Sequence, residues 1–372
     1  MNIYSKTYFN NLDAPRFLAF ILVFLQHIIY TRNQAILGSP VYKFYDDHFH
    51  IGHVGWDFYI VLSGFLITWM ILEEYNLTSG FNLFNFWLKR CLRIWPLYFF
   101  LILMGFLLVW AARNFLGNRV SDIPPLSWLL SFTLNFYIVK QGQNFLFFLV
   151  FLWSLSVGEQ FYFAWGILFK WFKKAFVPFC VLLLTGSLIF RYYALHDSQN
   201  LHFNTLSWVG NFAGGSLIAY LCMNRGKVFQ WLKKTPVWLI AAIYTMLLLN
   251  LAFYKVIYSS DIMTVLERFS ATLFFGFMIF EQSFCEKHLF ELGKIPKLNY
   301  LGKISYGLFC YHGLIILFYE QSTQQLEGIN SPWAVFLINP VVIFVLTIGV
   351  SALSYEYIEK PIMSLRRQLQ IA

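Results

Sequence analysis

The stretch PRFLAFILVFLQHIIYTRN, residues 15–33, is the first of ten apolar runs that decide the fold. A transmembrane helix needs about 20 mostly apolar residues, and this run has the length and composition of one. The repetition of such runs predicts an all-α protein, a polytopic membrane helix bundle of about ten transmembrane helices. The ten runs lie at 15–33, 54–73, 94–112, 146–169, 176–195, 206–223, 236–254, 263–282, 304–320 and 333–356.

The composition agrees with a membrane protein and excludes several other classes. Of the 372 residues, 59% are apolar and only 12% are charged, whereas soluble domains average about 25% charged residues. Disordered proteins, disulfide scaffolds and almost all soluble enzymes are excluded on this ground. The five cysteines show no CxxC or Cys/His ligand spacing, so no metal is expected. The net charge of +9 is attributed to membrane topology, and no nucleic acid is expected as a partner.

The distribution of basic residues predicts the orientation in the membrane. With a cytoplasmic N-terminus, the inner connecting segments hold 18 Lys and Arg and the outer segments hold six. Cytoplasmic segments carry such an excess, so we expect a multi-pass protein of the cell (inner) membrane with both termini cytoplasmic. Residues 124–139, which open with two prolines, predict one short re-entrant or interfacial helix. No loop is long enough for a soluble domain, and residues 1–372 are predicted to form a single membrane domain.

Ionisable residues inside the apolar runs are candidates for function, because each costs about 2.5–3.5 kcal/mol on insertion. Arg16 and His27 are eleven positions apart, which puts them about 20° apart around a helix and about 16 Å apart along its axis. They therefore share one helix face at two depths. The alternative interpretation is a snorkelling arginine and an unrelated buried, hydrogen-bonded histidine.

Asp57 lies near the outer end of the second run, which is antiparallel to the first, so it is predicted at a depth similar to that of His27. A carboxylate beside a histidine fixes its tautomer and raises its basicity. The alternative is an aspartate that caps a helix end. Glu159 and His312 each lie within an otherwise apolar run, where a carboxylate is either protonated or partnered. For His312 a packed histidine and a catalytic one are both open.

Three cations, Lys89, Arg90 and Arg93, lie at the inner end of the third run. Arg90 and Arg93 are three apart and are neighbours on one helix face. Guanidinium groups match phosphate oxygens, so this cluster is a candidate phosphate site. On spacing alone, ordinary topology or contact with lipid head groups explains the three cations better.

Six segments in order, reaching from residue 12 to residue 363, resemble the acyltransferase family 3 membrane proteins. That family acylates surface carbohydrates and other hydroxyl acceptors. The segments are LDAPRFLAFILVFLQH (12–27), GWDFYIVLSGFLIT (55–68), FWLKRCLRIWPLYF (86–99), LWSLSVGEQFYFAWG (152–166), ISYGLFCYHGLII (304–316) and YEYIEKPIM (355–363).

The resemblance implies roles for matching residues. The family's arginine and histidine of the first span fall on Arg16 and His27, and its histidine is central to acyl transfer. Its Arg-x-x-Arg pair, which faces acyl-CoA, falls on Arg90 and Arg93, and its aspartate falls on Asp57. Of its two adjacent glutamates this chain keeps Glu159, because glycine occupies position 158. The resemblance is to the stand-alone type, which has no fused hydrolase-like domain.

From the residues and the resemblance we expect an integral membrane acyltransferase that uses cytoplasmic acyl-CoA, by family habit acetyl-CoA. Arg90 and Arg93, with Lys89 and Arg16, are predicted to hold the donor. His27 is predicted to act on a hydroxyl of a cell-surface carbohydrate or glycan precursor, as general base or as acyl carrier. Asp57 and Glu159 complete the predicted catalytic set, and membrane lipids are expected partners. The alternatives are a proton-coupled membrane transporter and a receptor or structural membrane protein without turnover.

Overall fold

A computed structural model describes residues 8–29, 31, 33–116, 122–323 and 331–368. Across these ranges the chain is helical and contains no strand, and Asp122 and Phe145 form an isolated bridge. The predicted all-α bundle is therefore confirmed. Residues 1–7 and 369–372 lie outside the described part, as do Arg32 and Arg119 of the predicted outer side. The orientation in the membrane stays a prediction.

Twenty α-helices follow one another in the described ranges, joined by short 3₁₀ and π segments. Their bounds are α1 Asp13–His27, α2 Gln34–Leu37, α3 Pro40–Phe49, α4 Gly52–Thr78, α5 Leu83–Ala111, α6 Leu126–Leu130, α7 Leu134–Gln141, α8 Phe147–Val150, α9 Leu152–Phe172, α10 Phe176–Tyr193, α11 Ser198–Phe203, α12 Thr205–Asn224, α13 Lys227–Lys233, α14 Val237–Ala252, α15 Tyr254–Ile257, α16 Asp261–Phe284, α17 Pro296–Lys303, α18 Ser305–Thr323, α19 Asn339–Ser354 and α20 Lys360–Gln368.

Each of the ten predicted runs overlaps a helix, although α1 ends at His27, before the end of the run 15–33. The number of membrane spans depends on the length required of a spanning helix. Six helical runs are long and apolar enough to cross a membrane, or up to eight if each bent helix pair counts as one span. Helix α1 has 15 residues, fewer than such a run requires. The continuous run Phe147–Tyr193 contains two of the predicted spans. The count of ten therefore stays a prediction.

The predicted short helix at 124–139 is two short helices, α6 and α7. Phe132 lies between them with a φ of 54°, a left-handed conformation that a right-handed helix does not continue through. Asn135 of α7 is fully buried, and its Nδ2 donates to the carbonyl oxygen of Phe203 at 3.1 Å. Gln160 of α9 donates to Asn135 Oδ1 at 2.8 Å. These bonds attach the short helices to the bundle.

Small residues bring α4 and α12 into backbone contact. A Cβ added at Gly215 would lie 1.9 Å from the carbonyl oxygen of Val61, and one added at Gly64 would lie 2.2 Å from that of Phe212. Glycine is required at both positions because the two backbones are too close for any side chain. Small residues allow this approach between membrane helices, where van der Waals packing replaces the hydrophobic driving force.

Helix α1 packs against α4 in the same close manner. A Cβ at Gly55 would lie 2.3 Å from the carbonyl oxygen of Ala19. Nearer the start of α1, the Tyr59 hydroxyl donates to the carbonyl oxygen of Arg16 at 2.6 Å. Helix α4 is therefore in contact with both α1 and α12 and fixes their relative positions.

A buried network of charges connects α4, α10, α12 and α16. Arg268 donates to Asp57 Oδ2 at 2.8 Å, and Arg191 donates to Glu267 Oε2 at 2.9 Å. Asn211 Nδ2 donates to Asp57 Oδ1 at 2.8 Å. All five side chains are buried, so each charge depends on its partner for the free energy that water would otherwise supply.

Replacing Gly215 by alanine is expected to destabilise the protein. The new methyl group would collide with α4, and overpacking of a tight interior costs about 1–3 kcal/mol. The measurement is the thermal unfolding midpoint of the purified protein in detergent. Gly186→Ala on α10 is the matched control, because no atom lies within 4 Å of its added Cβ. Equal midpoints for the two variants would contradict the close contact between α4 and α12.

Candidate active site

His27 is the last residue of α1 and is half buried. Its Nδ1 lies 2.8 Å from the carbonyl oxygen of Val23, one turn earlier. A carbonyl oxygen only accepts hydrogen bonds, so in the neutral ring the proton belongs on Nδ1. The Nε2 lone pair is then available for a proton or for an acyl group.

Aromatic rings and a second histidine surround His27. The ring centroid of Phe151 lies 4.7 Å away and that of His312 lies 5.5 Å away. His312 is fully buried, and its Nδ1 lies 2.6 Å from the carbonyl oxygen of Phe309. Its Nε2 has no hydrogen-bond partner among the described residues. Both imidazoles are therefore held in the tautomer that leaves Nε2 without a proton.

His27 lines a cavity of about 490 Å³ formed by α1, α4, α8, α9, α11 and α18. No Asp, Glu, Lys or Arg is among the described residues that line it. The lining is aromatic and neutral polar, which is typical of a site for an uncharged ligand with hydrogen-bonding groups. Its aromatic members are Trp56, Phe147, Phe151, Trp153, Phe203 and Phe309. Its polar members besides His27 are Gln26, His53, Gln143, Ser154, Ser198, Gln199 and His202.

A second, smaller cavity of about 130 Å³ is lined by Arg16, Arg90 and Arg93. The structure thus brings together three of the four residues predicted to hold the donor. Tyr59, Ser63, Tyr162 and Tyr306 supply hydroxyl groups to the same cavity. The fourth predicted residue, Lys89, is buried at 8% exposure and is not among the lining residues of this cavity.

The three arginines differ in their surroundings. Arg16 forms an ion pair with Asp13, whose other oxygen accepts a hydrogen bond from Tyr8 at 2.5 Å. Arg90 lies over the ring of Tyr162, 5.7 Å from its centroid. Arg93 is exposed. The cavity therefore presents guanidinium groups from two helices, α1 and α5, and the one from α1 is paired with a carboxylate.

The two cavities share two lining residues, Trp56 and Phe309. Their rings are stacked with centroids 5.6 Å apart and an interplanar angle of 28°. The indole Nε1 of Trp56 is buried and has no hydrogen-bond partner among the described residues. No hydrogen bond from the described part of the chain therefore holds the indole in place. The cavity lined by His27 (the histidine cavity) and the cavity lined by Arg16, Arg90 and Arg93 (the arginine cavity) meet at this aromatic pair.

Asp57 does not contact His27. It is 1% exposed and is held by Arg268 and Asn211, as described above, while His27 is held by Val23. The prediction that Asp57 lies beside His27 and orients it is therefore wrong in this structure. Antiparallel helices at similar depth do not have to turn their side chains toward each other, and this aspartate faces α12 and α16.

Glu159 is buried at 1% exposure but does not line either cavity. Its Oε2 accepts a hydrogen bond from Trp95 Nε1 at 3.0 Å, and its Oε1 has no partner among the described residues. At Gly158 an added Cβ would come no closer than 3.8 Å to another atom, so packing does not require a glycine there. A catalytic role of Glu159 stays a prediction.

Two histidines that sequence reasoning missed, His53 and His202, line the cavity that contains His27. The position of His53 in the sequence could have indicated this. His53 precedes Asp57 by one helical turn, on a helix that starts at the depth of His27. His202 lies on α11, a short helix that the apolar pattern does not reveal. Among the described residues no group of three or more His, Cys, Asp or Glu side chains is arranged to hold a metal ion.

The start of α11 is fixed by its N-cap, Asp197. This carboxylate accepts hydrogen bonds from the backbone N–H of Asn200 at 3.0 Å and from its side chain at 2.8 Å. These bonds hold the pKa of Asp197 below its usual value, so the cap is ionised at neutral pH. Helix α11 in turn places Ser198, Gln199 and His202 in the wall of the cavity.

The fold and the two cavities define a class, a multi-pass helical membrane protein whose polar side chains converge inside the bundle. A family model described as an acyltransferase domain matches residues 9–356, nearly the whole chain. The chain belongs to acyltransferase family 3.

Two relatives from Staphylococcus aureus match most of this chain. "O-acetyltransferase OatA" of strain NCTC 8325 / PS 47 is 26% identical over 381 residues, which cover 97% of this chain and 58% of that protein. "Putative O-acetyltransferase SACOL0978" of strain COL is 25% identical over 344 residues, which cover 88% of this chain and 55% of that protein. The chain thus spans little more than half the length of these relatives. No solved structure matches the chain.

Asp57→Asn is expected to destabilise the bundle. The substitution removes the nearer of two carboxylates that face buried Arg268 and leaves Glu267 Oε1 at 3.5 Å. Because breaking a buried pair outright costs about 3–5 kcal/mol, we expect a loss below that range. The measurement is the thermal unfolding midpoint in detergent, compared with Asp47→Asn. Asp47 pairs with Lys255 at the surface. Because surface ion pairs contribute little to stability, Asp47→Asn is expected to leave the unfolding midpoint unchanged. An Asp57→Asn variant with the wild-type midpoint would contradict the structural role assigned here.

Proposed function

We propose that this protein is a membrane O-acyltransferase that moves an acyl group, acetyl in the first instance, from acyl-CoA to a hydroxyl of a carbohydrate or glycan precursor. The observation that carries the proposal is the pair of adjoining cavities, one basic and one containing His27, which meet at Trp56 and Phe309. Family membership supports the reaction type. The names of the relatives, O-acetyltransferases, support acetyl as the group and oxygen as the acceptor atom.

The arginine cavity suits the acyl-CoA donor. Coenzyme A carries several phosphate charges at one end and the reactive thioester at the other, joined by a long thin arm. Arg16, Arg90 and Arg93 offer guanidinium groups, which bind phosphate oxygens in pairs. Arg16 and His27 lie about 16 Å apart along α1, a distance that an extended arm can span. The predicted cytoplasmic location of the arginine end agrees with the location of acyl-CoA in cells.

The chemistry at His27 needs the Nε2 lone pair. In direct transfer, Nε2 takes the proton of the acceptor hydroxyl while the hydroxyl oxygen attacks the thioester carbon, and the C–S bond breaks to release CoA. In the two-step route, Nε2 attacks the thioester and carries the acyl group to the acceptor. The hydrogen bond from Nδ1 to the backbone supports both routes, because it keeps Nε2 free of a proton.

The histidine cavity suits an uncharged acceptor. Its indole and phenyl rings present flat apolar faces, and its amides, hydroxyls and imidazoles present hydrogen-bonding groups. A sugar ring has both kinds of surface. An anionic acceptor group would find no cation among the described lining residues. We therefore propose a neutral saccharide unit at the point of transfer.

His27→Ala is expected to abolish the release of CoA from acetyl-CoA while leaving acetyl-CoA binding intact. Loss of a general base or nucleophile lowers the rate by about 10²–10⁴-fold. The measurement is free thiol released by the purified protein, with binding followed by titration calorimetry. His48→Ala is the control, because His48 is partly exposed on α3 and does not line the cavity of His27. Unchanged CoA release in His27→Ala would overturn the role of His27.

Arg90→Ala with Arg93→Ala is expected to weaken acetyl-CoA binding. A hydrogen bond to a charged group contributes about 1.5–3 kcal/mol, or roughly 10- to 100-fold in affinity for each arginine. S-acetylpantetheine lacks the nucleotide and its phosphates. The rate at which the protein cleaves this shorter donor is therefore expected to differ little between the double variant and the wild type. Lys294→Ala serves as the control, since this exposed lysine pairs with Glu291. Equal losses for both donors would contradict phosphate binding.

If the folded wild-type protein binds no acyl-CoA, the acyltransferase proposal is wrong. A proton-coupled transporter would then be the leading alternative, since it would also carry buried arginine, histidine and glutamate side chains.

A further inference from the structure

We propose that His53 is a second catalytic base in the cavity of His27, where it removes the proton of the acceptor hydroxyl. Glu267 and Tyr254 are the residues that position it. This inference rests on the proposed function and goes beyond it, because it separates the group that handles the acyl donor from the group that activates the acceptor.

His53 is the second residue of α4, and its side chain lines the cavity at 15% exposure. Its Nε2 lies 2.6 Å from the Tyr254 hydroxyl and 3.2 Å from Glu267 Oε1. A carboxylate oxygen only accepts, so the proton belongs on Nε2. The lone pair is then on Nδ1, which forms no hydrogen bond within the described part of the chain. The contacts at Nε2 thus orient the His53 ring, and the lone pair on Nδ1 is available to accept a proton.

Glu267 is held firmly in its charged form. Its Oε2 accepts a hydrogen bond from Arg191 at 2.9 Å, and its Oε1 lies 3.5 Å from Arg268. A fixed carboxylate behind an imidazole sets the tautomer and stabilises the imidazolium that forms when the free nitrogen takes a proton. His27 has a neutral backbone carbonyl in the corresponding position. Of the two histidines, His53 is the one with a carboxylate behind its protonated nitrogen.

A carboxylate partner alone does not make a base. His50 pairs with Asp46 at 3.2 Å, and His288 pairs with Glu281 at 3.0 Å, but neither histidine lines the cavity. His53 combines the two conditions. It has the carboxylate behind it, and it has a place in the wall that the acceptor must approach.

The two-step route gives the second base a defined task. In the first step the bond between His27 Nε2 and the acyl carbon forms and the thioester C–S bond breaks, which releases CoA as thiolate. The nitrogen that carries the acyl group then has no lone pair for a proton. In the second step the acceptor oxygen bonds to the acyl carbon, the N–C bond to His27 breaks, and the hydroxyl proton moves to His53 Nδ1. His53 afterwards returns this proton to water.

The test compares two acceptors that differ in their need for a base. Purified protein with acetyl-CoA is given water alone, or water with hydroxylamine. Water must lose a proton as it attacks, whereas hydroxylamine attacks with a nitrogen lone pair that is free at neutral pH. The readout is the ratio of acetyl hydroxamate formed to acetate formed, measured for the wild type, His53→Gln, Tyr254→Phe and His50→Gln.

For His53→Gln we expect acetate formation to fall about 100-fold while hydroxamate formation stays within threefold, since loss of a general base costs at least about 10²-fold. Tyr254→Phe is expected to shift the ratio in the same direction by several-fold. His50→Gln, three residues away and paired with a carboxylate at the surface, is expected to leave the ratio unchanged. Retained hydroxamate formation also shows that the variants are folded.

If both products fall together in His53→Gln, or if the ratio stays at the wild-type value, the assignment of His53 as a base is wrong. Failure of the proposed function has a different result: the wild type itself then releases no CoA with either acceptor. If His27→Ala keeps hydroxamate formation while His53→Gln loses it, the two roles are reversed and the proposal is overturned.

Discussion

Two glycines, Gly64 and Gly215, let α4 and α12 touch backbone to backbone, and the geometry of both cavities depends on that contact. Helix α4 supplies His53 and Trp56 to the histidine cavity and Tyr59 and Ser63 to the arginine cavity. Any shift of α4 would move all of these side chains at once. Arg268 of α16 and Asn211 of α12 also bind Asp57 of α4, so packing and hydrogen bonding both hold this one helix.

Part of the site follows from helical periodicity alone. Arg16 and His27 share a face of α1 at two depths, and each lines one of two adjoining cavities. Arg90 and Arg93, three apart on α5, line the cavity of Arg16. These predictions succeed because a single helix has a known pitch and rise, so the spacing of residues along it fixes both angle and depth. The apolar runs likewise predict the bundle, since length and composition are properties of each helix separately.

The other contacts of the site depend on how each helix is rotated relative to its neighbours. The spacing of residues along one helix carries no information about that rotation. Asp57 was predicted at the depth of His27, but the direction of its side chain is set by Arg268, which is far away in the chain. The link between His53 and Glu267 crosses from α4 to α16 for the same reason. The two short helices at 126–141 depend on a positive φ at Phe132, a local feature without a sequence signal at that residue.

The stacked pair of Trp56 and Phe309 also bears on the membrane itself. Two adjoining cavities inside a membrane helix bundle would form a pore if they opened to opposite sides and joined. While the two rings remain in contact, the cavities are not joined at this point, and protons and small ions meet an apolar barrier there. A closed aromatic contact at this point would let a membrane that contains the protein keep its ion gradients, provided that the two rings part only when a bound molecule fills the gap.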